Sequence, residues 1–374
     1  MNRSIVAAVG VTALVTSVPL VWLNARQEGE YRRFIAAGDA AIARDQTFEA
    51  IEAFTGALTL KPDSTIARLK RGDTYRRRGE FASAVRDLAE ASALDATSPR
   101  PLELLGDARG AMGQNEQAAR DYERFLELDD RAPRVVYKLG LAYYRAGNLP
   151  RAVETLQRAV SLDQRFAEAH YMLGLCLRDT EPAQAERALL RAVEVDPAFT
   201  AAREELVALY TTSNPLKALE QLEALSTLEP SRPERQVRVG LAQASLGRRD
   251  AAVLTLSRAA DRHPDAAIVY AALGRVWLEV AESQGDRIAL SKAIEALAPA
   301  ATWPTATSST LALYGRALYL SGDPAAAERA LRRATLQCPV DPSAFAYLAD
   351  AAERLGHTQA ARDASASHAA LVAD

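Results

Sequence analysis

The side chains that could do covalent or metal chemistry are few and scattered. Four histidines, His170, His263, His357 and His368, would be the first candidates for metal ligation or proton transfer. None has a cysteine or carboxylate at ligand spacing, and no two stand four residues apart, as a pair of ligands on one helix face would. The chain has no glycine-rich phosphate loop and no Ser-centred G-x-S-x-G elbow. A net charge of −3 and a pI near 6.0 argue against a nucleic-acid partner, since phosphate binding needs a basic stripe. Among the basic residues only Lys61, Lys70, Lys138, Lys217 and Lys292 are lysine. No catalytic residue, metal, cofactor or small-molecule substrate is therefore expected, and function must come from surface recognition.

The elements that would build such a surface are seen in residues 133–166. Pro133 suits a first helical turn, and Val136, Leu139, Leu141 and Tyr143 follow at helical spacing. Gly147 then stops the helix, because a residue without Cβ adopts the left-handed conformation at little cost. Pro150 opens a second helix bearing Val153, Leu156 and Val160. The small residues Gly140 and Ala152 are expected to face each other and let the two helices approach, giving a hairpin whose other apolar side needs a cover.

That cover is a neighbour of the same kind. Steps of 34 lead from Gly140 back to Gly106, Gly72 and Gly38 and forward to Gly174, with Gly240, Gly274 and Gly315 beyond. A second ladder follows seven residues behind, through Gly79, Gly113, Gly147, Gly247, Gly322 and Gly356. A period near 34, with Leu139-Gly140, Tyr143, Ala152, Leu156 and Ala159 in the fourth unit and Ala252, Leu256, Ala259 and Pro264 in the seventh, resembles the tetratricopeptide repeat (TPR) family. The resemblance implies an all-α, right-handed superhelical solenoid of nine to ten helix-turn-helix hairpins. Repeats are expected at 31–64, 65–98, 99–132, 133–166, 167–199, 200–232, 233–266, 267–307 and 308–341, with a degenerate cap at 342–374. Cys176 and Cys338 then lie several repeats apart, too far for a disulfide.

The resemblance also implies where a partner would bind. In this family the first helix of each repeat lines a groove, with positions two, five, nine and twelve pointing into it. Position nine supplies Asp39, Asp73 and Asp107, with Arg76 and Arg77 beside the middle one; position five supplies Tyr137 and Tyr171, and position twelve Tyr144 and Arg178. The expected groove is acidic at one end and aromatic in its middle. The Lys and Asn with which chaperone-binding members grip a C-terminal carboxylate are missing, since position five holds Ile35, Leu69, Glu103 and Tyr137.

Two departures from the repeat carry further expectations. Residues 5–23, IVAAVGVTALVTSVPLVWL, hold no charge, and as a helix they would span the roughly 30 Å hydrocarbon layer. The run is long for a signal peptide and its end is a poor cleavage site, so residues 1–25 are expected to be an uncleaved single-pass anchor in a bacterial-type inner membrane, with Ile5 to Leu23 in the bilayer. Arg26, Arg32 and Arg33 favour a cytoplasmic solenoid; the basic start followed by an apolar run favours the periplasmic face, the preferred reading. The stretch Gln27-Glu28-Gly29-Glu30 either continues the anchor helix or breaks at Gly29. The eighth repeat is seven residues longer than usual, divided between its two helices, and is expected to form a docking ridge with Trp277, Leu278 or Ile288. The expected function is a membrane-tethered, non-enzymatic scaffold or adaptor that binds a protein or peptide segment. A client-holding assembly factor and an accessory subunit of a larger membrane complex are the alternatives.

Overall fold

The computed structural model describes the backbone of residues 3–373 and the side chains of Trp22 and residues 24–372. Twenty α-helices, paired into antiparallel hairpins, make up the described residues, which contain no strand. The chain divides into two units: residues 1–195 hold α1 (Arg3–Ala43) to α10 (Pro182–Val195), and residues 196–374 hold α11 (Thr200–Ser213) to α20 (Thr358–Ala373). Among the described residues no helix is long and apolar enough to cross a membrane. The apolar run 5–23, expected to be the anchor, lies outside the described side chains except for Trp22. Over Gly29 the structure chooses between the two readings of the junction, because α1 runs through it without interruption.

In the first unit the first helices after α1 are α3 (Thr65–Arg77), α5 (Pro99–Ala111), α7 (Pro133–Arg145) and α9 (Ala167–Leu177). Prolines at the start of α5 and α7 suit positions whose N–H would have no partner. The turn after α7 closes on Gly147 at φ +78°, and Asp45 takes the same left-handed conformation, at φ 60°, in the turn of the first hairpin, which reads Arg44-Asp45-Gln46 and has no glycine. A short polar side chain tolerates that conformation better than a branched one.

Close approach within each hairpin comes from one contact. A Cβ on Gly140 would stand 2.7 Å from Leu156 Cγ, while the backbone oxygen of Ala152 is 3.6 Å away. Glycine therefore makes room for the fully buried Leu156 of α8 (Leu149–Leu162), and Ala152 is not its main partner. The same arrangement sets Gly72 against Leu88 and Gly174 against Leu189 in the first unit, and Gly240 against Leu256 and Gly315 against Leu331 in the second. Val207 replaces the glycine in α11, and there Val207 is itself buried with Leu219, Leu222, Leu225 and Val239.

In the second unit, α15 (Ala267–Gln284) has 18 residues against 13 for α13 (Pro233–Ser245), and α16 (Arg287–Thr302) has 16 against 14 for α14 (Arg249–Arg262). The seven inserted residues are thus helical, and Gly285, at φ +68°, closes the turn.

Gly140→Ala should destabilise the chain by about 1–3 kcal/mol through overpacking against Leu156. Combining it with Leu156→Ala, which leaves room for the new methyl, should cost clearly less than the sum of the two single changes. Urea unfolding of the four variants checks this, and strict additivity would mean that the two residues do not touch.

Candidate functional site

The first helices of the first unit carry a row of acidic side chains, and each already has a basic partner. Asp39 on α1 meets Lys70 on α3 at 2.6 Å. Asp73 is bracketed by Arg76 at 2.6 Å and Arg77 at 3.0 Å on its own helix, one turn further on. On α5, Glu103 and Asp107 share Lys138 of α7, each at 2.8 Å, and the Tyr122 hydroxyl donates to Asp107 at 2.8 Å. In both inter-helix links the lysine follows the aspartate by 31 residues, three short of the repeat, which sets it across from the carboxylate on the neighbouring first helix. An acidic end to the groove, as expected from the row of aspartates, is therefore not what the chain presents. The row is an ion-paired and nearly neutral surface.

Glu103 shows the energetic consequence. Burial alone would raise its carboxyl pKa, but the hydrogen bond and charge of Lys138, with Arg100, hold it below the usual glutamate range. Two buried aspartates also belong to this unit. Asp87 on α4 (Phe81–Leu94) accepts from Arg71 at 2.7 and 2.8 Å, and Asp121 on α6 (Asn115–Leu128) accepts from Arg109 at 2.7 Å. At Asp121 burial outweighs the arginine and pushes the carboxyl above its usual range. Each aspartate stands beside the large residue that covers a hairpin glycine, Leu88 and Tyr122 respectively, so these pairs brace the hairpins. A repeated Asp at one repeat position was the available sequence signal.

The aromatic part of the surface lies on α7 and α9. Tyr137 and Leu141 of α7 and Tyr171 and Leu175 of α9 are half-buried against one core cluster, whereas Tyr144 is exposed. The Tyr137 ring lies 4.9 Å from that of Phe166. Its hydroxyl is pushed above the usual tyrosine range by burial, with the Glu168 carboxylate and Tyr171 adding to the effect. Arg178, at the end of α9, contacts Asp179 at 3.3 Å.

The expected ridge in the second unit is only partly surface. Leu278 is a core residue, 1% exposed, because α15 turns it inward to meet Ala293, Leu297 and Ala317. Trp277 is half-buried with the Lys292 ammonium 4.4 Å from its ring, and Ile288 is 70% exposed. Glu282, in the extra turn, pairs with Arg316 of α17 (Ser308–Ser321) at 2.6 Å. A shallow groove of about 350 Å³ opens beside it, lined by Ala281, Gly285, Leu290 and Leu320. Arg238 of α13 meets Glu204 of α11 at 2.7 Å, also linking adjacent first helices but at the full 34-residue spacing.

The sequence matches the tetratricopeptide repeat family over residues 29–101, 104–165, 137–181 and 314–372, more than half of the chain, which therefore belongs to that family. TPR proteins are protein-interaction modules. No curated protein matches the sequence. Among solved structures, the C-terminal part of a TPR repeat-containing protein from Cytophaga hutchinsonii is 16% identical, with a TM-score of 0.50 over 70% of this chain and 98% of that one, a likeness of fold alone. MamA is 25% identical over 45% of this chain and 92% of its own, with a TM-score of 0.44. YrrB, described as a TPR protein with an unusual peptide-binding site, is 24% identical over 48% of this chain and 94% of its own, with a TM-score of 0.42.

Lys138→Met should cost about 1–2 kcal/mol at neutral pH, because it removes the only cation from Asp107 and leaves Glu103 beside it with Arg100 alone. The folded Glu103 pKa lies below its unfolded value, so the contribution of the pair is present above about 4.5 and is lost as pH falls through the folded value. Unfolding measured at pH 7 and near pH 3 should show the mutational cost shrinking. An equal cost at both would assign it to packing of the lysine stem.

Proposed function

We propose that this chain is a membrane-tethered protein-interaction adaptor that grips a partner segment on the first-helix surface of its first unit. The observation that carries this reading is the patch of Tyr137, Leu141, Tyr144, Tyr171 and Leu175, an aromatic and aliphatic area on two adjacent first helices. Half-buried tyrosines suit such a grip, because each offers a large apolar face with a polar tip and loses little conformational entropy on binding. Asp39, Asp73 and Asp107, with Arg76, Arg77 and Arg178, form the polar flank. Because the aspartates are engaged by Lys70, Arg76, Arg77 and Lys138, this flank orients a partner through hydrogen bonds and contributes little long-range attraction. The partner segment therefore presents apolar side chains to the tyrosines and needs no strongly basic stretch. The tether rests on the nineteen uncharged residues from Ile5 to Leu23.

The test begins with a detergent pull-down of the full-length chain and identification of what co-purifies. Binding kinetics should then show Tyr137→Ala with Tyr171→Ala speeding dissociation by the equivalent of about 1–3 kcal/mol, with an association rate that changes little with salt. Ile288→Ser, in the second unit, should leave binding unchanged. Loss of binding in Ile288→Ser, with the tyrosine variant unaffected, would overturn the reading and move the site to the eighth hairpin.

A further inference from the structure

Helix α1 does not begin where the first repeat begins. It arrives already helical, and the connection between α2 (Thr47–Leu60) and α3 holds it one turn ahead of the repeat. Gln27 Nε2 donates to the Leu60 carbonyl at 2.6 Å, and the Glu28 carboxylate pairs with Lys61. The Lys61 ammonium lies 4.4 Å from the centre of the Tyr31 ring, and the Tyr31 hydroxyl shares a 2.7 Å hydrogen bond with Ser64 Oγ. Arg32 holds Glu28 from its other side at 2.9 Å, and Arg26 pairs with Glu30 at 3.2 Å. No single exposed pair of this kind is strong. Three attachments over residues 27, 28 and 31, made by the last residue of α2 and the short connection after it, nevertheless fix both the rotation and the axial position of the helix, whereas a single contact would leave a pivot.

We propose that α1 is a rigid strut that sets the first hairpin at a fixed height above the bilayer, and that the partner segment is the juxtamembrane stretch of another membrane protein, which meets the surface at its near, Asp39 end. This rests on the tethered reading above. Trp22 is exposed, with the Arg26 guanidinium 5.7 Å from its ring, an arrangement suited to the lipid headgroup level. Asp39, the near end of the surface, stands seventeen helical steps beyond Trp22, and at about 1.5 Å per step this is about 25 Å. Tilting the strut lowers that height and never raises it. A partner chain in extended conformation advances about 3.3 Å per residue, so it reaches the Asp39 level within about eight residues of leaving the bilayer. A flexible linker in place of the strut would allow binding at any height and would select no such segment.

Spin labels at Ala25→Cys and Arg86→Cys test the strut in the full chain, reconstituted in nanodiscs of phosphatidylcholine and phosphatidylglycerol and carrying Cys338→Ser, the remaining Cys176 being buried. Pulsed dipolar spectroscopy should give one narrow distance distribution. Gln27→Ala with Lys61→Ala should at least double its width while the helical circular dichroism is unchanged; Gly29→Pro, which interrupts the helix ahead of the first hairpin, should do the same. A third label, at Val15→Cys, should be shielded from a water-soluble nickel chelate. A broad distribution in the parent chain, or no broadening in either variant, overturns the strut even when residue 15 is shielded. A narrow distribution with residue 15 open to the chelate instead overturns the tether, and with it the juxtamembrane partner.

Discussion

The architecture depends on the contact between a first-helix glycine and a large side chain of the following helix. Where Gly140 leaves space, Leu156 enters it, and the two helices of the hairpin close to a distance that no side chain at position 140 would permit. Each hairpin closed in this way keeps an apolar remaining face, and successive hairpins cover one another. The first helices are thereby presented side by side within each unit. Residues 34 apart become neighbours in space, which is the origin of the Asp107–Lys138 and Asp39–Lys70 links.

The repeat was legible because glycine is hard to replace at those positions: a steric requirement that recurs every 34 residues leaves a mark that composition cannot blur. Val207 shows the limit of that mark, since α11 forms its hairpin with a buried valine and a different packing. The state of the charged residues was much less legible. Asp39, Asp73 and Asp107 stand in register and suggest an open acidic wall, but Asp73 is neutralised within its own helix by Arg76 and Arg77, and Asp39 and Asp107 by Lys70 and Lys138, which are offset by three residues from the repeat and stand out only when neighbouring first helices are laid side by side. Leu278 was misplaced for a related reason. Next to Trp277 it looked like part of a ridge, whereas the helix rotates by about 100° per residue, and this turns one of the two inward. The junction at Gly29 could not be decided from local preference, because the contacts of Gln27 and Glu28 come from the connection more than thirty residues away.

Paired carboxylates and exposed or half-buried tyrosines divide the work of recognition on the proposed reading. Ion pairs between adjacent first helices stiffen the surface and remove its long-range field, so selectivity comes from shape and apolar fit at α7 and α9. The buried Asp87 and Asp121, paired with the half-buried Arg71 and Arg109, lie inside the hairpins that support this surface, where an unpaired carboxylate would be costly. The exposed Ile288 and the groove beside it belong to the other unit and to a different departure from the repeat, which makes them a suitable comparison site.

Site-specific photo-crosslinking in cells of the native host is the most direct test of the central claim, that the partner lies against the first-helix surface of the first unit. A photoreactive phenylalanine at the exposed Tyr144 should join the chain to one discrete protein, through peptides adjoining a transmembrane segment, and the same group at Ile288 should not capture that protein. Capture of that protein at Ile288 alone, with none at Tyr144, would contradict the account.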